Sequence, residues 1–352
     1  MKILHASYNH RPYIGGIETY SNKLEEFLLE SKKNSYFVNT NYSRYKVLRL
    51  VITILVTFVK LLFLNVEITH LTNLNLWPIS LVNLLKLRKA NFVINLHGLE
   101  LVYGNRKNLI SRIYRIFVPL KIINKVPNLL FFCNSQETLN LAKKYFNENK
   151  LIYIPMGVEE CQPFNEDVVV DKNQFFFLGR ITKRKGVSWF VREVLPNFPE
   201  KKLIVAGPIS DKHEFESIIK STQVEYLGAL PKKQIINLHQ SSLLTIFPSI
   251  VDEKNIDFEG FGISFIEALA NGGLPIATIY QGLNSASLNS KIGLCLNDNS
   301  TKSWIHKIEK FQNQGLEHRK KMIKEGQNLI NENFLWEHIF NKTNQEYKNI
   351  IS

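Results

Sequence analysis

Short apolar runs alternate with segments of helical periodicity along the whole chain, and this alternation restricts the fold more than any other feature of the sequence. The runs fall at 2–8, 36–40, 66–71, 91–96, 129–133 and 151–154, and again at 175–178, 202–206, 224–227, 243–247, 274–278 and 294–296. Helical segments such as 18–30, 136–146 and 232–240 lie between them. Strands joined through helices run parallel, in sheets covered by helices on both faces. Six runs in each half predict an α/β chain of two doubly wound domains of similar size. The polar stretch 159–172, which contains Pro163, places the boundary, giving domains at 1–160 and 161–333. A last helix at 334–352, with Trp336, Phe340 and Tyr347 as apolar anchors, is expected to complete the first domain.

The charge is uneven. Residues 1–160 carry 21 Lys and Arg against 10 Glu, and the remainder carries 23 against 21, within a total of +13. One basic half and one nearly neutral half suggest an acidic partner for the first. An apolar fraction of 45% with 21% charged residues excludes a disordered, collagen-like or polytopic membrane chain. Cys133, Cys161 and Cys295 are too few and too scattered for a disulfide framework or a Cys-x-x-Cys metal site. The first residues run straight into a strand pattern without a secretory apolar region, so a cytoplasmic location is the default expectation. The apolar run 47–64 has a charge-free centre, 50–59, too short to cross ~30 Å of hydrocarbon. A buried helix on the first sheet is expected there, with a membrane-contacting helix as the other reading.

In doubly wound sheets ligands bind beyond the carboxyl ends of the strands, so the residues following each strand are the candidates. Gly15 and Gly16 follow the first strand and precede a helix; they form either an anion-binding loop or a plain tight turn. His97 follows the fourth strand, where an imidazole can meet a substrate hydroxyl or simply satisfy a neighbouring loop. Gly179 through Gly186 contains Arg180, Lys183, Arg184 and Lys185 ahead of a helix. Arg180 and Lys185 flank the turn and suit a phosphate, whereas Arg184 reads as a solvated cation. The strand at 243–247 leads to Glu259, Gly260, Phe261, Gly262 and Ile263, with Glu267 beyond. The glycines would open a helix, placing both carboxylates toward one cleft, where hydroxyl-rich ligands suit them. Helix-end decoration is the alternative.

This set resembles the retaining GT-B glycosyltransferases of family 4. The carrying feature is a pair of glutamates, Glu259 and Glu267, around Phe261-Gly262. Gly15-Gly16, His97-Gly98, the Pro155-Met156-Gly157-Val158-Glu159 segment, Arg180 with Lys185, and Gly228-Ala229-Leu230 follow in the family's order. The resemblance implies two Rossmann-like domains facing a central cleft, acceptor on the N-terminal side and sugar nucleotide, UDP- or GDP-linked, on the C-terminal side. Arg180 and Lys185 would neutralise the departing diphosphate, and Glu267 would bind ribose. Glu259 with Phe261, Gly262 and Ile263 would hold the donor sugar, which His97 would contact. Gly16, beside Gly15, would bring an amide to the diphosphate, and Leu230 would border the base. No Asp-x-Asp occurs, so no metal is expected. Met156 and the segment 280–284 depart from the family pattern.

A basic, apolar stretch around 109–123, with Arg106, Lys107, Arg112, Arg115, Lys121 and Lys125, suits an anionic membrane, with a solvated basic face over a core helix as the other reading. The expectation is a hexosyltransferase of bacterial surface-polysaccharide synthesis. It would act on a glycan or lipid-linked acceptor from the inner face of the cytoplasmic membrane. A catalytically weak sugar-nucleotide-binding protein is the alternative. No nucleic-acid-binding module is present to make nucleic acid a partner.

Overall fold

The computed structural model describes every residue except 11–14, 31–34, 41–44, 164, 166 and 251–256. Two compact units emerge. The first comprises Met1–Gly157, Phe258–Phe261 and Trp336–Ser352; the second comprises Val158–Asp257 and Gly262–Leu335. The first glycine loop therefore falls partly outside the described residues at Arg11 to Ile14, and the stretch before Glu259 does so at 251–256.

The first unit holds a parallel sheet of β1 (Ile3–Ser7), β2 (Ser35–Asn39), β3 (Ile68–Leu71), β4 (Asn91–Leu96), β5 (Leu129–Cys133) and β6 (Leu151–Tyr153). Its order is β2-β1-β3-β4-β5-β6. β1 and β3 are buried along their whole length, as strands covered on both faces must be. One face packs on a core that includes Leu4, Phe92, Ile94, Leu96 and Phe131. On this unit the helix Trp336–Ile351 returns, with Trp336, Phe340 and Tyr347 buried. Phe340 stacks on Phe27 with ring centroids 5.1 Å apart. Tyr347 meets the ring of His70.

Two helices of this unit depart from expectation. The helix Lys46–Phe63 packs on the core of the first sheet through Leu61, with Leu50, Ile54 and Phe58 against it, but it is covered on one side only: Val47, Leu55, Val59 and Phe63 are exposed. The stretch 109–123 is not continuous. It splits into Leu109–Phe117 and Leu120–Ile123 at Val118-Pro119, because proline lacks the amide a helix needs and disfavours the helical conformation of the residue before it. Similarly, the helix Gln136–Ala142 ends short of Phe146. Among the described residues no helix is long and apolar enough to cross a membrane.

The second unit holds β7 (Asp171–Leu178), β8 (Lys202–Ala206), β9 (Val224–Gly228), β10 (Ser242–Phe247), β11 (Pro275–Thr278) and β12 (Leu294–Leu296). The order β12-β11-β10-β7-β8-β9 is parallel throughout and reverses direction of growth between β7 and β10. Such a reversal splays the following loops apart and opens a crevice for ligand.

Candidate functional site

The loops that follow β7 and β10 meet at this reversal. Gly186 ends the single turn Lys183–Lys185 with φ +67°, and a Cβ there would overlap the carbonyl oxygen of Pro248, just after β10. Only glycine satisfies both the left-handed conformation and the close approach. The Ile250 amide donates to the Arg184 carbonyl at 2.8 Å, tying the loops together. The Arg184 side chain is not the solvated cation expected: it is largely buried and pairs with Asp257 at 3.4 Å. Arg180 is exposed and Lys185 half-buried, so the two candidate phosphate cations remain at the surface of this loop.

Beyond β10, the helix Ile263–Ala270 begins at Gly262, whose φ is +87°. A side chain on Gly262 would collide with Leu283 of the helix Gly282–Ala286. The first amides of a helix have no intrahelical partner and carry the positive end of its dipole, which favours an anion. Ile263, the first helical residue, is half-buried. Glu267 lies one turn on. Burial raises the pKa of its carboxyl group, and the charges of Lys185 and then Lys232 act against that rise. The Lys185 charge thus reaches the Glu267 carboxyl. Lys232, the first residue of the helix Lys232–Ser241, joins them and was missed in the sequence. Its only local signal is a position just after Leu230-Pro231 at a helix start. Leu230 packs against Phe176, Ile204 and Ala206 beside β9.

In the first unit, the His97 amide donates to Glu100 Oε1 at 2.6 Å. Its Nε2 contacts the Thr72 carbonyl oxygen at 2.9 Å. A carbonyl oxygen only accepts, so Nε2 carries the proton and Nδ1 of the neutral ring offers a lone pair. Gly98 turns with φ +95°, and a Cβ there would run into the ring of Phe258. A Cβ on Gly260 would overlap the His97 carbonyl oxygen, and Thr138 Oγ1 donates to the Gly260 carbonyl at 3.4 Å. Glu259, itself buried, therefore sits between two residues seated on the His97-Gly98 turn. The helix does not include Glu259: the chain is irregular from 257 to 262. The expectation that Gly260 opens the helix and that one helix orients both glutamates is corrected. Glu259 and the buried Phe261 group with the first unit, and Glu267 with the second. The irregular segment lies close against His97, where the Gly260 position leaves no room for a side chain.

Gly15 and Gly16 stand where the helix Gly16–Glu30 starts. Glu18 folds back over Gly15, held by Asn9, whose Nδ2 donates to Glu18 Oε1 at 2.5 Å. Met156 is buried, and Gly157 lies against the ring of Trp336, where a Cβ would come within 2.6 Å. Gln281 adopts φ +48° ahead of the helix Gly282–Ala286.

Residues 159–329 match the family described as Glycosyl transferases group 1. An uncharacterized glycosyltransferase of Methanocaldococcus jannaschii is 25% identical over 287 residues, spanning 76% of this chain and 69% of that protein. Among solved structures, sucrose-phosphate synthase from Thermosynechococcus elongatus superposes with a TM-score of 0.77 at 15% identity, over 99% of this chain and 98% of that one. HepE of Anabaena, in complex with UDP and glucose, superposes with a TM-score of 0.73 at 14% identity, over 99% of both chains.

Proposed function

We propose that this chain, with the GT-B fold and a glycosyltransferase group 1 domain at residues 159–329, is a retaining, metal-independent hexosyltransferase. Its donor is a nucleotide-diphosphate sugar, UDP- or GDP-linked. Its acceptor is a glycan or lipid-linked glycan of bacterial polysaccharide synthesis, such as O-antigen, capsule or lipopolysaccharide core. The observation that carries this reading is that the loop after β7, with Gly186 seated on Pro248, meets the loop after β10 at the strand reversal, where the charges of Lys185 and Lys232 act on the buried Glu267 carboxyl.

Glycosyl transfer builds negative charge on the departing diphosphate and positive charge on the sugar. Fixed cations and helix amides stabilise the first in a site that needs no reorganisation. Arg180 and Lys185 supply those cations, and Gly262 with Ile263 supplies the helix start. A carboxylate beside phosphate needs hydroxyls to bind, and Glu267 finds them on ribose. His97 and Glu259 address the sugar, with Glu259 stabilising an oxocarbenium-like centre either directly or as a nucleophile. Metal independence rests on Arg180 and Lys185 together with the lack of any Asp-x-Asp sequence. The basic first half supports attraction to an anionic membrane, where a lipid-linked acceptor resides.

Calorimetry with UDP, GDP and ADP in EDTA, on wild type and Lys185→Ala, tests the donor site. Micromolar binding of one nucleotide, weakened about a hundredfold in the variant, supports it. Binding of none overturns it. Binding without transfer to any lipid-linked or free glycan favours the weak binding protein instead.

A further inference from the structure

We infer that the helix Lys46–Phe63 is an insertion element that lies in the headgroup region of an anionic phospholipid bilayer, apolar face down. The inference rests on the membrane part of the reading above and deepens it.

A surface helix of a soluble protein normally turns its apolar stripe inward and its polar stripe to water. Here the inward face is mixed: Leu50, Ile54 and Phe58 pack half-buried on the core, and the most deeply buried stripe is mostly polar. Arg49, Thr53 and Thr57 are buried at successive i, i+4 positions, followed by Leu61. Part of that stripe is tied to protein: Thr53 Oγ1 donates to the Arg49 carbonyl at 2.8 Å, and Thr40 Oγ1 does so at 3.1 Å. The opposite arc exposes Val47, Val51, Leu55, Val59, Leu62 and Phe63. Phe63 is 84% exposed and Val47 74%. The helix bears no acidic residue along its 18 positions. Next to its end, Arg88 hydrogen-bonds the Leu61 carbonyl and so pins the exposed turn of Leu84, Leu85 and Leu87 beside it.

The surrounding charge identifies the occupant. Residues 46–136 contain twelve Lys and Arg and only two acidic residues, Glu67 and Glu100, of which Glu100 is buried. Exposed cations flank the apolar arc at Lys46, Lys86 and Lys89. A second basic element stands nearby: the segment Leu74–Ser80 contacts the helix Lys46–Phe63, and Trp77 Nε1 on it donates to the Phe117 carbonyl at 2.7 Å. That carbonyl ends the helix Leu109–Phe117, which exposes Ile110, Ile113 and Ile116 beside Arg112 and Arg115. Apposing two copies of this face would set like charges against each other. An anionic bilayer matches both the apolar arc and the cationic rim, and a helix too short and interrupted by charge to span it lies in its plane.

Flotation of the full chain with phosphatidylglycerol–phosphatidylcholine vesicles and with pure phosphatidylcholine vesicles tests this, at low salt and in 0.5 M NaCl. The variants are Leu55→Glu with Val59→Glu, and separately Val51→Gln; all three sites are exposed, and circular dichroism checks the fold. The expected result is binding to anionic vesicles that survives high salt in wild type. In the double variant it falls about tenfold and becomes salt-labile, since a carboxylate at each site resists the apolar layer and the anionic surface. Val51→Gln gives a smaller loss of the same kind. Binding that is abolished by salt in wild type, or unchanged in the double variant, overturns insertion and leaves electrostatic docking standing. No binding to either vesicle overturns both. A dimer that the double variant dissociates identifies a second copy as the occupant and overturns the bilayer.

Discussion

The carbonyl oxygen of His97 occupies the space that a side chain on Gly260 would need. This contact seats the segment carrying Glu259 on the turn after β4, and the two candidate sugar-contacting residues are held in one place by it. Replacing Gly260 with alanine must push that backbone away. Activity should fall about a hundredfold, because small displacements of reacting groups are costly, while far-ultraviolet dichroism stays unchanged. Gly104→Ala provides the control, since its new Cβ would meet only Arg115 atoms at 3.4 Å or more. Equal activity of both variants would remove the geometric argument.

Glu267 is tuned against stability. Burial raises its pKa, so ionising it in the folded state is harder than in the unfolded chain. A group of this kind favours the fold at low pH, and that contribution is lost as the pH rises through its folded value. Glu267→Gln removes the cost at neutral pH. It should raise the melting temperature and weaken donor binding about tenfold, a trade of stability against function. A variant that loses both stability and binding would show that the carboxylate supports the fold instead.

His70 makes acid stability a property of the first sheet. Its Nε2 donates to Asn95 Oδ1 at 2.6 Å, and its Nδ1 accepts from the Tyr347 hydroxyl of the last helix. Burial lowers its pKa from 6.5 to about 4, against the raising effect of Asn95. Between those values the unfolded chain binds the extra proton, so stability is full above pH 6.5 and drains as pH falls toward 4. The loss amounts to about 3 kcal/mol at the acid end. Urea midpoints of wild type and His70→Gln should therefore differ more at pH 7.5 than at pH 5. A difference independent of pH would dismiss His70 as the titrating group.

The strands were legible because both faces of each sheet are covered. Phe175, Phe176 and Phe177 in β7 and the whole of β1 are buried, which writes a nearly continuous apolar run into the sequence. The apolar character of the helix Lys46–Phe63 was equally plain, but periodicity does not say which stripe is covered. Nothing local reveals that Thr53 and Thr57 face inward. Arg184 was misread because its partner, Asp257, lies in a distant loop that only the pairing of β7 with β10 brings near. Lys232 escaped for the same reason: its influence on Glu267 depends on the order of strands, not on spacing. Glu259 stands out in the sequence as a candidate through its pairing with Glu267, yet its separation from the helix accompanies Gly260 meeting His97, a long-range contact.

Arg319 shows how the second sheet holds the crevice in register. It is fully buried, and its guanidinium donates to four carbonyls: Leu243 at 3.0 Å, His239 and Gln240 at 3.1 Å, and Ser242 at 2.9 Å. These close the helix Lys232–Ser241 and start β10, the strand that ends at Phe247, next to Pro248 and the basic loop. Burial lowers the Arg319 pKa to about 10, so it stays charged at neutral pH. Arg319→Met would leave those carbonyls unsatisfied in an apolar setting and should cost about 3 kcal/mol, read as a lower urea midpoint. Arg319→Lys restores only part of it, because an ammonium cannot reproduce the planar fork. Since Lys232 and the Pro248 loop flank the same helix and strand, donor affinity should fall in step with stability in this series. Full affinity in a destabilised Arg319→Met would separate the scaffold from the site.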